Sequence, residues 1–93
     1  MGATGLGGKI AGVTGAPIKQ EDVASAFGRS LYRARREVGM SQEALAEAAD
    51  LHRTFVSFLE RGLKQPSLTT VLRLARALGV PASRILDEVD AEV

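Results

Sequence analysis

From residue 21 onward, apolar residues recur at spacings of three and four, in runs closed by glycine or by a turn. That is the repeat of helices buried along one stripe. Val23, Phe27, Leu31, Ala34 and Val38 form the first stripe and predict a helix over residues 21–38. Glu21 and Asp22 open it, where the helix dipole favours acids, and Gly39 follows as a stop. Arg29, Arg33 and Arg36 fall away from the stripe, on a solvated side. Gly28 inside the helix costs about 1 kcal/mol against alanine, a cost that a close helix crossing would explain.

Ser41, a preferred N-cap, starts a second helix that ends near Ala49, with Leu45, Ala46, Ala48 and Ala49 as its inner face. Asp50-Leu51-His52 reads as a turn, with Asp50 in the left-handed backbone region, Leu51 as a buried pivot and His52 as a weak N-cap. A third helix spans residues 53–61, with Val56 and Leu59 inward and Gly62 as its stop. Ser67 caps a fourth over residues 68–78, where Leu68, Val71, Leu72, Leu74, Ala75 and Leu78 give a broad apolar face. Pro81 sits in the first turn of a short fifth helix, residues 81–88, a position proline accepts. Ile85, Leu86 and Val89 are its apolar residues.

The pattern predicts an all-α fold, a compact five-helix domain over residues 21–89. Residues 1–16 hold six of the ten glycines without periodicity, so residues 1–20 are expected to be a flexible arm. Residues 90–93 are expected to be an acidic tail.

Ninety-three residues make one small domain with a thin core. With no cysteine and a single histidine, disulfides are excluded and a zinc site has almost nothing to bind with. No apolar stretch reaches the roughly 18 residues a membrane helix needs, so a soluble cytoplasmic protein is expected. The net charge of +1 hides an asymmetry: four of the eleven acids lie in residues 87–93, which leaves residues 1–86 at +5. A basic body of this kind is compatible with nucleic acid.

The chemistry concentrates in residues 41–61, two short helices joined by a tight turn. Arg53 and Thr54 stand at the start of the second of these, the end that a helix-turn-helix points into the major groove. Arginine can donate two hydrogen bonds to guanine, and threonine can bond a base edge or touch a thymine methyl. Ser57 and Phe58 follow one turn on; Phe58 either packs on thymine methyls or tucks against the next loop. His52 is either a DNA contact or a plain turn residue. Arg61, Lys64 and Thr69 surround the far end of the same helix and are candidates for phosphates. A lone histidine, with no nucleophile–base set and no strand-then-helix context for the glycines, does not point to an enzyme.

Ser41-Gln42-x-x-Leu45-Ala46, then Leu51-x-Arg53-Thr54-x-Val56-Ser57-x-Leu59-Glu60-Arg61-Gly62, resembles the phage-repressor-like helix-turn-helix family, the Xre or Cro/C1 type. Pro66-Ser67-Leu68 and Leu74-Ala75-Arg76-Ala77-Leu78-Gly79-Val80-Pro81 complete the resemblance over about 60 residues. Asp50 departs from the usual turn glycine, and His52 from a small polar cap. The resemblance implies a backbone phosphate contact at Gln42, beside Ser41 at the helix start where amides favour an anion. It also implies an ion pair between Glu60 and Arg35 that ties the first helix to the third. The string Leu51-His-Arg-Thr-Phe-Val-Ser57 is similar to controller proteins of restriction–modification systems.

The resulting expectation is a sequence-specific transcriptional regulator of double-stranded DNA, without cofactor, membrane attachment or evident small-molecule effector. One recognition helix reads only about four to six base pairs, so a homodimer on a near-palindrome is expected. Ile85, Leu86 and Val89 are the candidate dimer contacts. The alternative is a protein-interaction module of the same fold, marked by an apolar surface in place of the DNA face.

Overall fold

The computed structural model describes residues 17–93, which form five helices. They are α1 (Gln20–Val38), α2 (Gln42–Ala49), α3 (Arg53–Glu60), α4 (Leu68–Leu78) and α5 (Ala82–Glu92). Up to Ala16, the glycine-rich arm lies outside the described residues; of its last four, Pro17–Lys19 are without regular structure and Gln20 already belongs to α1. Among the described residues there is no strand, and no helix is long and apolar enough to cross a membrane.

Each helix sends at least one fully buried aliphatic side chain to a single core: Leu31, Leu45, Val56 with Leu59, Leu74 and Ile85. Around them α1 packs on α3 and α5, α2 on α3 and α4, and α5 on α4. Because α1 is wedged between two neighbours, it buries more than one stripe. Ala24, Ala26 and Ser30 are covered along with Phe27, Leu31 and Ala34, whereas Val38 at the helix end is exposed, unlike its place in the sequence pattern.

Gly28 marks the closest approach. A Cβ there would overlap the Leu59 carbonyl oxygen and stand 2.6 Å from that of Glu60, so α1 meets the end of α3 backbone to backbone. Gly62, at φ +74, continues this contact; its own Cβ would sit 3.0 Å from Ser25 Cα. The last turn of α3 is thereby seated on the first half of α1.

Two caps follow the pattern: Ser41 Oγ accepts from the Ala44 amide and Ser67 Oγ from the Thr70 amide, both near 3 Å. Such a cap contributes about 1 kcal/mol. Asp50 takes the left-handed conformation, φ 58 and ψ 50, and the Leu51 amide returns to the Ala46 carbonyl at 2.8 Å. These bonds close α2 and set the turn.

Three apolar assignments change. Ala48 is exposed, since α2 buries only Leu45, Ala46 and Ala49. Leu68 and Leu72 on α4 are 69% and 41% exposed, because the core reaches only Val71, Leu74, Ala75 and Leu78. On α5, Ile85 and Val89 are buried while Leu86 is 42% exposed. Ile85 and Val89, named as dimer contacts, are therefore committed to the core and leave Leu86 alone of the three at the surface.

The acidic end is not a tail. Pro81 precedes α5 as its N-cap residue, and the helix continues through Asp90 to Glu92. It runs antiparallel to α1 along a ladder one turn per rung: Arg29 with Glu92, Arg33 with Glu88, Glu37 with Arg84, at 2.5, 3.0 and 2.5 Å. Ser30, itself buried, donates to Glu88 at 2.7 Å. That bond, followed by the one from Arg33, holds the Glu88 carboxyl below the usual glutamate range. Arg29 does the same for Glu92.

Candidate nucleic-acid interface

The turn at Asp50–His52 joins α2 and α3 at one end of the motif. At the other end the two helices are joined by side chains. Arg35 of α1 donates from Nε to Glu60 Oε2 at 2.5 Å and from Nη2 to Glu60 Oε1 at 3.0 Å. Gln42 Nε2 donates to the same Oε1 at 3.0 Å. Arg35 Nη1 also donates to the Met40 carbonyl at 2.9 Å, which fixes the segment leading into α2. One guanidinium thus grips the start of α2 and the end of α3.

Only 10% of the Arg35 side chain and 4% of that of Glu60 are exposed. A bidentate geometry, with a third guanidinium donor taken by the Met40 carbonyl, is the kind of arrangement in which a buried pair is tolerated. The hydrogen bond to Glu60 raises the Arg35 pKa further, outweighing the opposing effect of burial. Glu60 is therefore a neutralised part of the frame and presents no bare charge to a polyanion.

α3 presents its opposite end to solvent. His52, Arg53 and Thr54 are exposed, and Ser57 and Phe58 are half-buried. In a helix, residues four apart stack, so Ser57 lies a turn behind Arg53 and Phe58 a turn behind Thr54. His52 is the N-cap residue and makes no side-chain cap bond. The first amides of α3 are consequently uncapped, in contrast to those of α2 and α4. Uncapped amides at a helix start suit an anion.

Phe58 has a partner within the chain: the Arg61 guanidinium stands 5.5 Å from the centre of its ring. A cation over an aromatic face is attracted to it. Phe58 and Arg61 therefore form one unit at the end of α3, a pairing that the sequence left open. Lys64 and Thr69 are exposed beyond it, in the loop and at the start of α4, and Ser41 is exposed before α2. Leu51 is half-buried and Phe55, not singled out in the sequence, packs against the core.

The link between Gln42 and Glu60 was also not legible in the sequence, where the family resemblance implies a pairing of Glu60 with Arg35 alone. The α1–α5 ladder did leave a signal: Arg29, Arg33 and Glu37 step by four, as do Arg84, Glu88 and Glu92, with complementary signs in antiparallel order. Among the described residues, no group of three or more His, Cys, Asp and Glu side chains could hold a metal ion.

A family model described as helix-turn-helix matches residues 31–85. The control protein C.BamHI of Bacillus amyloliquefaciens is 42% identical over 62 residues, covering 66% of this chain and 76% of that protein. The crystal structure of the restriction-modification controller protein C.AhdI from Aeromonas hydrophila is similar at TM-score 0.65 and 37% identity, over 67% of this chain and 94% of that one. A tetramer of the controller protein C.Esp1396I in complex with its natural 35 base-pair operator is similar at TM-score 0.68 and 26% identity, over 75% of this chain and 92% of that one.

Proposed function

The chain belongs to the helix-turn-helix family, and we propose that it is a sequence-specific DNA-binding transcriptional regulator of the restriction–modification controller kind, working as a homodimer. The observation that carries this reading is the start of α3, where exposed Arg53 and Thr54 project from a helix end that no side chain caps. Arg53 reads guanine through O6 and N7, Thr54 a neighbouring base edge or thymine methyl, and Ser57 a further base. Gln42 and Ser41 on one side, and Arg61, Lys64 and Thr69 on the other, hold the phosphates and fix the register of α3 in the groove. The chain's part is binding, with no catalytic step assigned to it.

A homodimer follows from the small span one α3 can read, with half-sites about one helical turn apart on a near-palindrome. The surface that supports it is apolar: Leu68 and Leu86 rim a groove of about 200 Å³ floored by Val23, Phe27, Val71 and Val89. Leu72 adds to the same helix face one turn from Leu68. The alternative of a protein-interaction module calls for apolar surface on α3; its half-buried Phe58 is instead engaged with Arg61, and of the exposed leucines among the described residues Leu68, Leu72 and Leu86 lie on α4 and α5 and Leu63 in the loop after α3.

Selection of bound sequences from a random DNA pool tests the reading. The expected product is a two-fold symmetric consensus whose affinity falls steeply with salt, as phosphate neutralisation requires. Enrichment of no sequence, or binding indifferent to salt, would overturn it.

A further inference from the structure

Resting on that DNA-binding reading, we propose that Glu60 is a positioning residue for DNA: its buried carboxylate, clamped by Arg35, holds the Gln42 amide in place as a preset phosphate anchor. Gln42 is the first residue of α2 and half-exposed. A free glutamine at a helix start samples several rotamers, and fixing such a side chain on binding costs conformational entropy. Here one N–H of Nε2 is already committed to Glu60 Oε1 at 3.0 Å, and the second N–H of the same nitrogen points away from that bond.

The holder is itself rigid. Glu60 Oε1 accepts from both Arg35 Nη2 and Gln42 Nε2, and Oε2 accepts from Arg35 Nε. The carboxylate cannot rotate without breaking the bidentate pair, and the backbone beneath it is seated against Gly28. Arg35 also holds Met40, so the chain entering α2 and the Gln42 side chain are fixed from one point. The same bond sets the spacing between the α2 start and the α3 end, opposite the Asp50 turn. The phosphate anchor and the reading helix are then held in one register before DNA arrives. An acid in a DNA-binding motif thereby serves phosphate binding indirectly, through the amide it orients.

The test uses the full chain, its best selected DNA fragment and anisotropy titrations over a salt series. Gln42→Ala is expected to weaken binding about 10-fold at every salt concentration and to leave the slope of log affinity on log salt unchanged, because a neutral amide releases no counterion. The double substitution Arg35→Met with Glu60→Leu replaces the buried pair by apolar groups, an exchange that often leaves stability unchanged. It is expected to give a loss of affinity of the same size, again at unchanged slope, and Gln42→Ala added to it is expected to change nothing further. Should the apolar pair not fold, the parent chain decides: the Gln42 side-chain amide is expected to be as rigid as the backbone in NMR relaxation before DNA is added, and an amide averaging freely among rotamers would overturn the inference.

Independent, multiplying effects of the two sites would overturn the inference, as would a Gln42→Ala protein that binds like the parent. Failure of the DNA-binding reading is separate and would show in the parent chain, as an absence of salt-dependent binding.

Discussion

Gly28 and Glu60 meet without a side chain between them: a Cβ on Gly28 would stand 2.6 Å from the Glu60 carbonyl oxygen and would overlap that of Leu59. Backbone cannot step aside as a flexible side chain can. Gly28→Ala is expected to cost about 3 kcal/mol in overpacking against about 1 kcal/mol gained in helix propensity. The net of about 2 kcal/mol lowers Tm by roughly 10 °C in a domain of this size. Calorimetry of the variant checks it, and an equal or higher Tm would show that α3 is free to move off α1.

The Arg35–Glu60 pair is sensitive in a different way. Removing one partner leaves the other charge buried, with only 10% or 4% of its side chain in water. Glu60→Ala or Arg35→Ala is expected to cost about 3–5 kcal/mol, which is most of the stability of a small domain. Urea denaturation would show little folded baseline in either variant. A loss below about 1 kcal/mol would mean that the pair behaves as a surface salt bridge.

Arg53 and Lys64 are predicted to differ in kind as DNA contacts. Arg53→Ala should cost about 1–3 kcal/mol on the preferred site and relax preference at one base position. Lys64→Ala should weaken all sequences alike and reduce the salt slope by about 1. Both side chains are exposed, so Tm should be unchanged. Competition titrations against single-base variants of the selected site separate the two, and equal loss on every sequence for Arg53→Ala would remove it from base reading.

How the sequence foretold the fold depended on what each position does. Glycine stops, serine caps and three-and-four spacing gave the helices to within a few residues, because those signals are local. Which apolar residues face a neighbour is a tertiary matter. Leu68, Leu72 and Leu86 fit the periodicity as well as Leu74 and Ile85 do, yet the five-helix packing leaves them in water. Gly28 gave a hint of a crossing without its partner. The ion pair at Glu60 was implied by family resemblance, but its bond to Gln42 depends on how α2 and α3 close on each other, which no spacing within either helix encodes. The acidic end misled because charge without its partners reads as tail; Glu88 and Glu92 lie on the α5 face turned to α1.

That placement predicts an acid response. Ser30 and Arg33 lower the Glu88 pKa, and Arg29 lowers that of Glu92, relative to the ordinary 4.5. Carboxylates depressed in the folded state contribute stability that is present above the unfolded value and lost as pH falls through the folded one. Docking of α5 should therefore be unaffected near neutrality and weaken below about pH 4.5. Glu88→Gln should flatten the decline of Tm between about pH 5 and about pH 3, while lowering Tm modestly at neutral pH. An identical acid slope in parent and variant would mean that other carboxylates carry the response.

The exposed leucines make the last prediction. Leu68, 69% exposed, and Leu86, 42% exposed, border an apolar groove that the core does not fill. A second copy covers it in the homodimer proposed above, and each leucine fully buried there contributes about 1.5–3 kcal/mol. Two-fold symmetry doubles the effect of any substitution, since both copies carry it. Leu68→Glu should thus convert the dimer to a monomer at micromolar concentration while leaving the fold intact, because the site is already wet in one chain. Half-site binding should persist, since α3 is untouched, whereas affinity for the full palindrome should fall by at least about 100-fold once the two copies no longer associate. Sedimentation equilibrium and titration on half and full sites check this together. A Leu68→Glu chain that still sediments as a dimer would place the interface elsewhere.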